Sequence, residues 1–124
     1  MPTVQHFDIP IDDLDRAQKF YKDVFGWDMK KVINPANPQA ELWMCETEDV
    51  NGNKGLTGGL MKRKYLPAVT NYIAVLSIDE CVSKIEQSGG KVTVPKTEIQ
   101  NMGFFAMFQD SENNLFGLYE EQRK

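Results

Sequence analysis

The feature that most constrains the fold of this chain is an internal repeat. Apolar periodicity along the sequence reads as a strand, a helix and three short strands, and then the same series again. In the first series, strand-like runs at 4–11 and, after a helix, at 27–33, 41–47 and 57–63 are expected; in the second, at 69–77 and then at 91–99, 103–109 and 114–120. Leu14, Ala17, Phe20, Tyr21, Val24 and Phe25 fall on one helical face. Asp12 or Asp13 can cap that helix, because a carboxylate accepts from its free N–H groups, and Gly26 suits a left-handed stop. Ile78, Cys81, Val82 and Ile85 form the second stripe, with Ser77 and Glu80 spaced as a capping box and Gly89-Gly90 as terminators.

Clusters of turn formers separate the runs: Asn34–Pro38, Asn51–Gly55, Asn101–Gly103 and Asp110–Asn114. A period of about 60 residues in two copies is too long and too few for a solenoid. The copies end alike, as Gly59-Leu60-Met61 and Gly117-Leu118-Tyr119. Lys64–Ala68 joins them and is too short to separate domains, so residues 1–63 and 64–124 are expected to be the halves of one domain.

Composition excludes several partners. The 124 residues are 41% hydrophobic and 26% charged, which suits one globular domain and not a disordered chain. No apolar run approaches the roughly 18 residues of a membrane span, and the N-terminus lacks a basic and apolar leader. A soluble, cytoplasmic protein that does not bind membranes is expected. A pI near 5.0 argues against nucleic acid, which calls for a basic face. The two cysteines, Cys45 and Cys81, have no metal-site spacing and read as small buried hydrophobes. With one histidine, His6, no HExxH pair is possible, and any Ser-His-Asp arrangement would have to use it.

The run from His6 to Ala17, followed by Phe20-Tyr21 and Phe25-Gly26-Trp27, resembles the first strand and helix of the vicinal oxygen chelate superfamily, which includes glyoxalases, bleomycin resistance proteins and extradiol dioxygenases. Gly103–Ala106, Asp110–Asn114 and Gly117–Glu120 resemble its final hairpin. The resemblance implies an α+β fold in which two βαβββ repeats form one curved eight-stranded mixed sheet. Helices would cover the outer face and the concave face would hold a ligand or metal, often in a homodimer.

Within that resemblance, strand alternation assigns Phe7, Ile9 and Ile11 to the helix side and leaves His6, Asp8 and Pro10 facing the cleft. His6 stands where metal-binding relatives carry their first ligand. The second histidine position reads Thr70-Asn71-Tyr72, and the two carboxylate positions align with Gly59 and Gly117. A first-row divalent metal wants three or four N, O or S donors, so only His6 matches and no cofactor is expected. Glu120 has the wrong parity to substitute and should point to the helices or to solvent.

Trp43, Met61, Tyr72, Phe105, Met107 and Tyr119, with His6, are the candidate ligand-binding residues, because large apolar groups on an uncovered sheet face line a pocket. The parity of Trp43, Phe105 and Met107 is open, since either side of those strands is apolar. His6 and Asp8 are also the candidate acid/base pair, able to take a proton next to a carbonyl. Gly52–Gly59 lacks GxxxxGK[ST] and reads as a hairpin loop, and Lys96 could reach an anionic ligand, although an exposed lysine needs no such role. The reading that fits best is a small-molecule binding protein without a metal. A lactoylglutathione lyase-like, epimerase-like or dioxygenase-like enzyme, using a divalent metal or His6 and Asp8, is the alternative. A dimeric interaction module is the third.

Overall fold

The computed structural model describes residues 2–32 and 42–122. Its elements follow the doubled order: β1 (Thr3–Ile11), α1 (Leu14–Phe25), β2 (Lys30–Val32), β3 (Leu42–Glu48) and β4 (Lys54–Lys62), then β5 (Thr70–Ala74), α2 (Ile78–Gln87), β6 (Lys91–Ile99), β7 (Gly103–Gln109) and β8 (Leu115–Glu121). The fold is α+β with two βαβββ repeats, as the periodicity and the resemblance imply. The turn at Asn34–Pro38, and the ends of two expected strands at Ile33 and Glu41, lie outside the described residues. No helix among the described residues is long and apolar enough to cross a membrane.

Two compact units are present: His6–Val69, and Thr70–Lys124 together with Met1–Gln5. In the first, the strand order is β2-β3-β4-β1, with β1 and β4 parallel and β3 antiparallel to β4. In the second it is β5-β8-β7-β6, with β5 and β8 parallel and β7 antiparallel to both neighbours. Each unit has its own core. Ile11, Met29, Cys45 and Leu60 are buried in the first, packed by Ile9 and by Leu14, Ala17 and Tyr21 of α1. Ile78, Ala106, Phe108 and Leu118 are buried in the second, packed by Ile73, Cys81, Val82 and Ile85.

The helix signals act as the sequence implies. Asp13, not Asp12, caps α1, its carboxylate accepting from Arg16 N–H, and Gly26 ends the helix at φ 72°. Ser77 caps α2 by accepting from Glu80 N–H, and Gly89 takes the left-handed φ of 93° beyond the last turn. The Gly-rich stretch departs from expectation. β4 begins at Lys54, opposite Glu48, so the hairpin loop is confined to the residues around 49–53.

Asp49 explains the shorter loop. Its Oδ1 accepts from the amides of Asn51 and Asn53 at 2.9 Å each, and its Oδ2 from the Asn53 side-chain amide at 3.3 Å. Asp110 repeats the device between β7 and β8, with the amides of Glu112 and Asn114 at 2.8 and 2.9 Å and the Asn114 side chain at 3.1 Å. Each aspartate thereby satisfies the amides of a tight turn. The same bonds hold both carboxyls below the usual aspartate range.

Candidate functional site

β1 runs beside β4 in a register that sets His6 opposite Thr57, Asp8 opposite Gly59 and Pro10 opposite Met61. Residues directly across a ladder share a face. Ile9 pairs with Leu60 on the α1 side, so His6, Asp8 and Pro10 look the other way, as alternation predicts.

On this second face the His6 ring is held at both nitrogens. Nε2 lies 2.6 Å from Asp8 Oδ1, and Nδ1 lies 2.6 Å from Thr57 Oγ1. An ionised carboxylate oxygen can only accept, so Nε2 carries the proton, and in the neutral imidazole Nδ1 then accepts from the Thr57 hydroxyl. The side chains of His6 and Asp8 are 19% and 6% exposed, so water screens the pair little.

Gly59 makes this arrangement possible. A Cβ there would lie 2.3 Å from Asp8 Oδ1 and 3.3 Å from His6 Nε2. The space a side chain at position 59 would need is filled by the Asp8 carboxylate. In the second unit Tyr72 pairs with Gly117, and a Cβ on Gly117 would lie 2.2 Å from Tyr72 Cδ2. At both aligned positions, a glycine yields its place to a bulky residue on the neighbouring strand.

The other candidates divide by face. Met61 shares the face of Asp8 through its pairing with Pro10. Trp43 does not: it pairs with Leu60 and packs against the core of Ile11, Met29, Cys45 and Leu60. Its parity therefore places it on the α1 side, and Met44, opposite Gly59, is the β3 residue on the Asp8 face. The buried indole N–H of Trp43 has no hydrogen-bond partner among the described residues.

In the second unit Tyr119 pairs with Ala74 and Phe105, and Met107 pairs with Gly117. Tyr72, Phe105, Met107 and Tyr119 thus share the face opposite Leu118 and α2. The Tyr119 hydroxyl donates to the Met102 carbonyl. Burial, and then the Glu121 carboxylate, raise its pKa above the ordinary tyrosine value.

Glu120 points to the helix side, as its parity requires. Its Oε1 accepts from Ile78 N–H at 2.7 Å, at the first turn of α2, where the helix dipole favours an anion. Lys96 joins it structurally, 3.2 Å from Asp79 Oδ2, 3.7 Å from Glu120 Oε2 and 4.6 Å from the centre of the Phe104 ring. Both cysteines are free, and burial raises the pKa of each thiol.

These side chains do not fit a first-row divalent metal. Among the described residues, no group of three or more His, Cys, Asp or Glu side chains is placed to hold one. The one matching residue, His6, has both ring nitrogens occupied by Asp8 and Thr57. A metal would need one of those lone pairs and two or three further donors.

The doubled βαβββ order, with its parallel β1–β4 and β5–β8 pairs, resembles the fold that the sequence comparison with the vicinal oxygen chelate superfamily implies. The family described as bleomycin resistance protein-like, N-terminal, matches residues 3–37. The chain is 28% identical to CFP32, a protein named as a glyoxylase in Mycobacterium tuberculosis and Mycobacterium bovis, over 98% of its own length and 46% of the relative's. It thus spans about half the length of that relative. A glyoxylase-like domain-containing protein of Didymella fabae is 25% identical, with 93% of this chain and 91% of that protein covered.

Among solved structures, a Streptomyces coelicolor methylmalonyl-CoA epimerase in complex with 2-nitronate-propionyl-CoA superposes with a TM-score of 0.71. The two share 17% identity, and 97% of each chain is covered, a likeness of fold alone. Together these are similarities to bleomycin resistance protein-like and glyoxylase-like proteins in sequence, and to the epimerase in fold.

Proposed function

We propose that this chain is a glyoxalase/bleomycin-resistance-like protein that binds a small molecule without a metal. In each unit the candidate ligand contacts lie on the strand face turned away from the helix. His6 and Met61 mark that face in the first unit, and Tyr72, Phe105, Met107 and Tyr119 mark it in the second. The observation that carries the reading is the engagement of both His6 nitrogens by Asp8 and Thr57, with Gly59 leaving room for the Asp8 carboxylate. Aromatic and thioether side chains supply adaptable apolar contact for a ligand, although Met107 itself is buried.

Elemental analysis of the purified protein should find no stoichiometric transition metal, and chelator should leave the Tm unchanged. About one Zn, Ni, Mn or Fe per chain, with a Tm lowered by chelator, would overturn the metal-free reading. For the ligand, a metabolite screen read by thermal shift should give hits whose shift is lost in Tyr72→Ala. Hits unaffected by that variant and by Met61→Ala would move the site elsewhere.

The hydrogen-bonded pair itself favours a second reading. Asp8 orients the His6 ring as an orienting carboxylate does in general-base catalysis, and Nδ1, now accepting from Thr57, is the basic nitrogen. If the Thr57 hydroxyl turned away, His6 could take a proton next to a carbonyl, the kind of step an epimerase performs. Deuterium exchange from solvent into a carbonyl substrate, lost in His6→Gln, would favour this enzyme over the binder.

A further inference from the structure

We propose that Asn51 is a site of self-modification, at which its side chain condenses with the Gly52 amide, releases ammonia and leaves an isoaspartyl link in the β3–β4 turn. Asn51 alone among the asparagines of the sequence precedes a glycine. Asn34 and Asn37 precede prolines, which have no N–H, and the others precede residues whose side chains crowd the attacking nitrogen. The site lies outside the ligand face and does not depend on what that face binds.

The fold leaves this pair open to solvent. Asn51 and Gly52 are exposed at the tip between β3 and β4, next to Val50, which is exposed along its whole length. The Asn51 carboxamide has no hydrogen-bond partner among the described residues, and its main-chain N–H donates to Asp49 Oδ1 at 2.9 Å. Gly52 holds a left-handed φ of 81°, and a Cβ there would meet nothing within 4 Å, so the space around this residue is open.

The step is an internal amide exchange that needs only water. The Gly52 nitrogen, its proton lost to solvent base, attacks Asn51 Cγ. The N–Cγ bond forms, the Cγ–Nδ2 bond breaks, and Nδ2 takes up a proton and leaves as ammonia. Water then opens the cyclic imide at either of its carbonyls. Opening at Cγ leaves aspartate, and opening at the main-chain carbonyl leaves isoaspartate, in which the chain runs through Cγ. On either route one water is consumed, one ammonia is released and one carboxylate is added.

Asp49 governs the rate. The Gly52 N–H donates to the Asp49 carbonyl at 3.0 Å, and the Asp49 carboxylate clasps the turn through the amides of Asn51 and Asn53. The nitrogen attacks only when that clasp opens, so the folded turn reacts more slowly than the same residues in an unfolded chain. The isoaspartyl product does not reclose it. An extra main-chain carbon between positions 51 and 52 displaces the Gly52 and Asn53 amides, and the new carboxylate stands near that of Asp49. The Asp49 N–H donates to the Asn53 carbonyl at 2.8 Å just beyond the Glu48–Lys54 pair, and this bond is lost with the clasp. The modified chain therefore frays at the start of β4.

The intact chain, held at mildly alkaline pH and mapped by mass spectrometry, should convert Asn51 to the acid about tenfold faster than any other asparagine. The same peptide should become a substrate for an isoaspartate methyltransferase, and Asn51→Gln should abolish that label. Asp49→Ala, which opens the clasp, should speed conversion about threefold or more, and urea should do the same to the parent chain. In the modified protein, hydrogen exchange at the Asp49 and Asn53 amides should be about fivefold to tenfold faster, as the loss of a hydrogen bond implies. The proposal fails if another asparagine converts first, or if Asn51 yields no isoaspartate. Equal rates in buffer and in urea overturn the role of Asp49, and that comparison decides the matter if Asp49→Ala does not fold.

Discussion

Replacing Gly59 by alanine tests the arrangement around His6 most directly. The added Cβ would sit 2.3 Å from Asp8 Oδ1, more than 1 Å inside ordinary van der Waals contact, which begins near 3.4 Å. The Asp8 carboxylate must therefore swing away, and its 2.6 Å bond to His6 Nε2 breaks. With the Asp8 side chain 6% exposed, water replaces that bond poorly. A hydrogen bond to a charged group contributes about 1.5–3 kcal/mol. The alanine gives back about 0.4–1 kcal/mol by restricting the unfolded chain. The net expectation is a loss of about 0.5–2.5 kcal/mol, or a Tm lower by about 2–10 °C for a domain of this size.

Urea unfolding measures the loss, and the sole imidazole of the chain gives a direct check, since its Nε2 proton should leave its downfield position in the NMR spectrum. The double variant Asp8→Ala, Gly59→Ala should cost less than the sum of its parts, because the clash then has no second partner. A Gly59→Ala protein as stable as the parent, with the His6 proton unmoved, would refute the reasoning.

Gly117→Ala should destabilise by about 1–3 kcal/mol through overpacking against the Tyr72 ring, and the penalty should shrink in a Tyr72→Ala background, read by the same urea titrations. Glu120→Ala removes the acceptor of Ile78 N–H and should cost about 0.5–2 kcal/mol, with faster hydrogen exchange at the start of α2; Glu120→Gln, which keeps an acceptor, should cost less. Asp49 and Asp110 have folded pKa values below their unfolded ones, so their contribution is complete above the unfolded value near pH 4 and disappears as pH falls through the folded value. Asp49→Asn and Asp110→Asn should flatten the decline in urea midpoint below about pH 4, and an unchanged acid slope would contradict this.

The sequence made much of this fold legible where one face of an element is apolar and the other polar. β1 alternates cleanly, so the placement of Ile9 and Ile11 against α1 and of His6 and Asp8 away from it follows from period-2 patterning. The same logic directed Glu120 to the helix side, although its partner, Ile78 N–H, emerges only from the packing of α2. β3 carries no such signal: Trp43 and Met44 are both apolar, and only the pairing of Trp43 with Leu60 decides which faces the core.

The His6–Asp8–Thr57 chain was beyond reach for a different reason. It depends on the register between two parallel strands whose residues are 51 apart in sequence, and no local pattern encodes that register. The shorter β3–β4 loop was hidden by its glycines, which mask a strand that Asp49 starts by folding the turn tightly.

The two yielding glycines also constrain how this chain can change. A carboxylate cannot arrive at position 59 by a single substitution while Asp8 keeps its length, nor at position 117 while Tyr72 keeps its ring. In each unit the partner must shrink first, which sacrifices a hydrogen bond or an aromatic contact before any gain is possible. Mutational paths that place carboxylates at both positions therefore pass through a less stable intermediate in each half. Directed evolution for metal binding should recover changes at positions 8 and 59 together, and at 72 and 117 together, rather than one at a time.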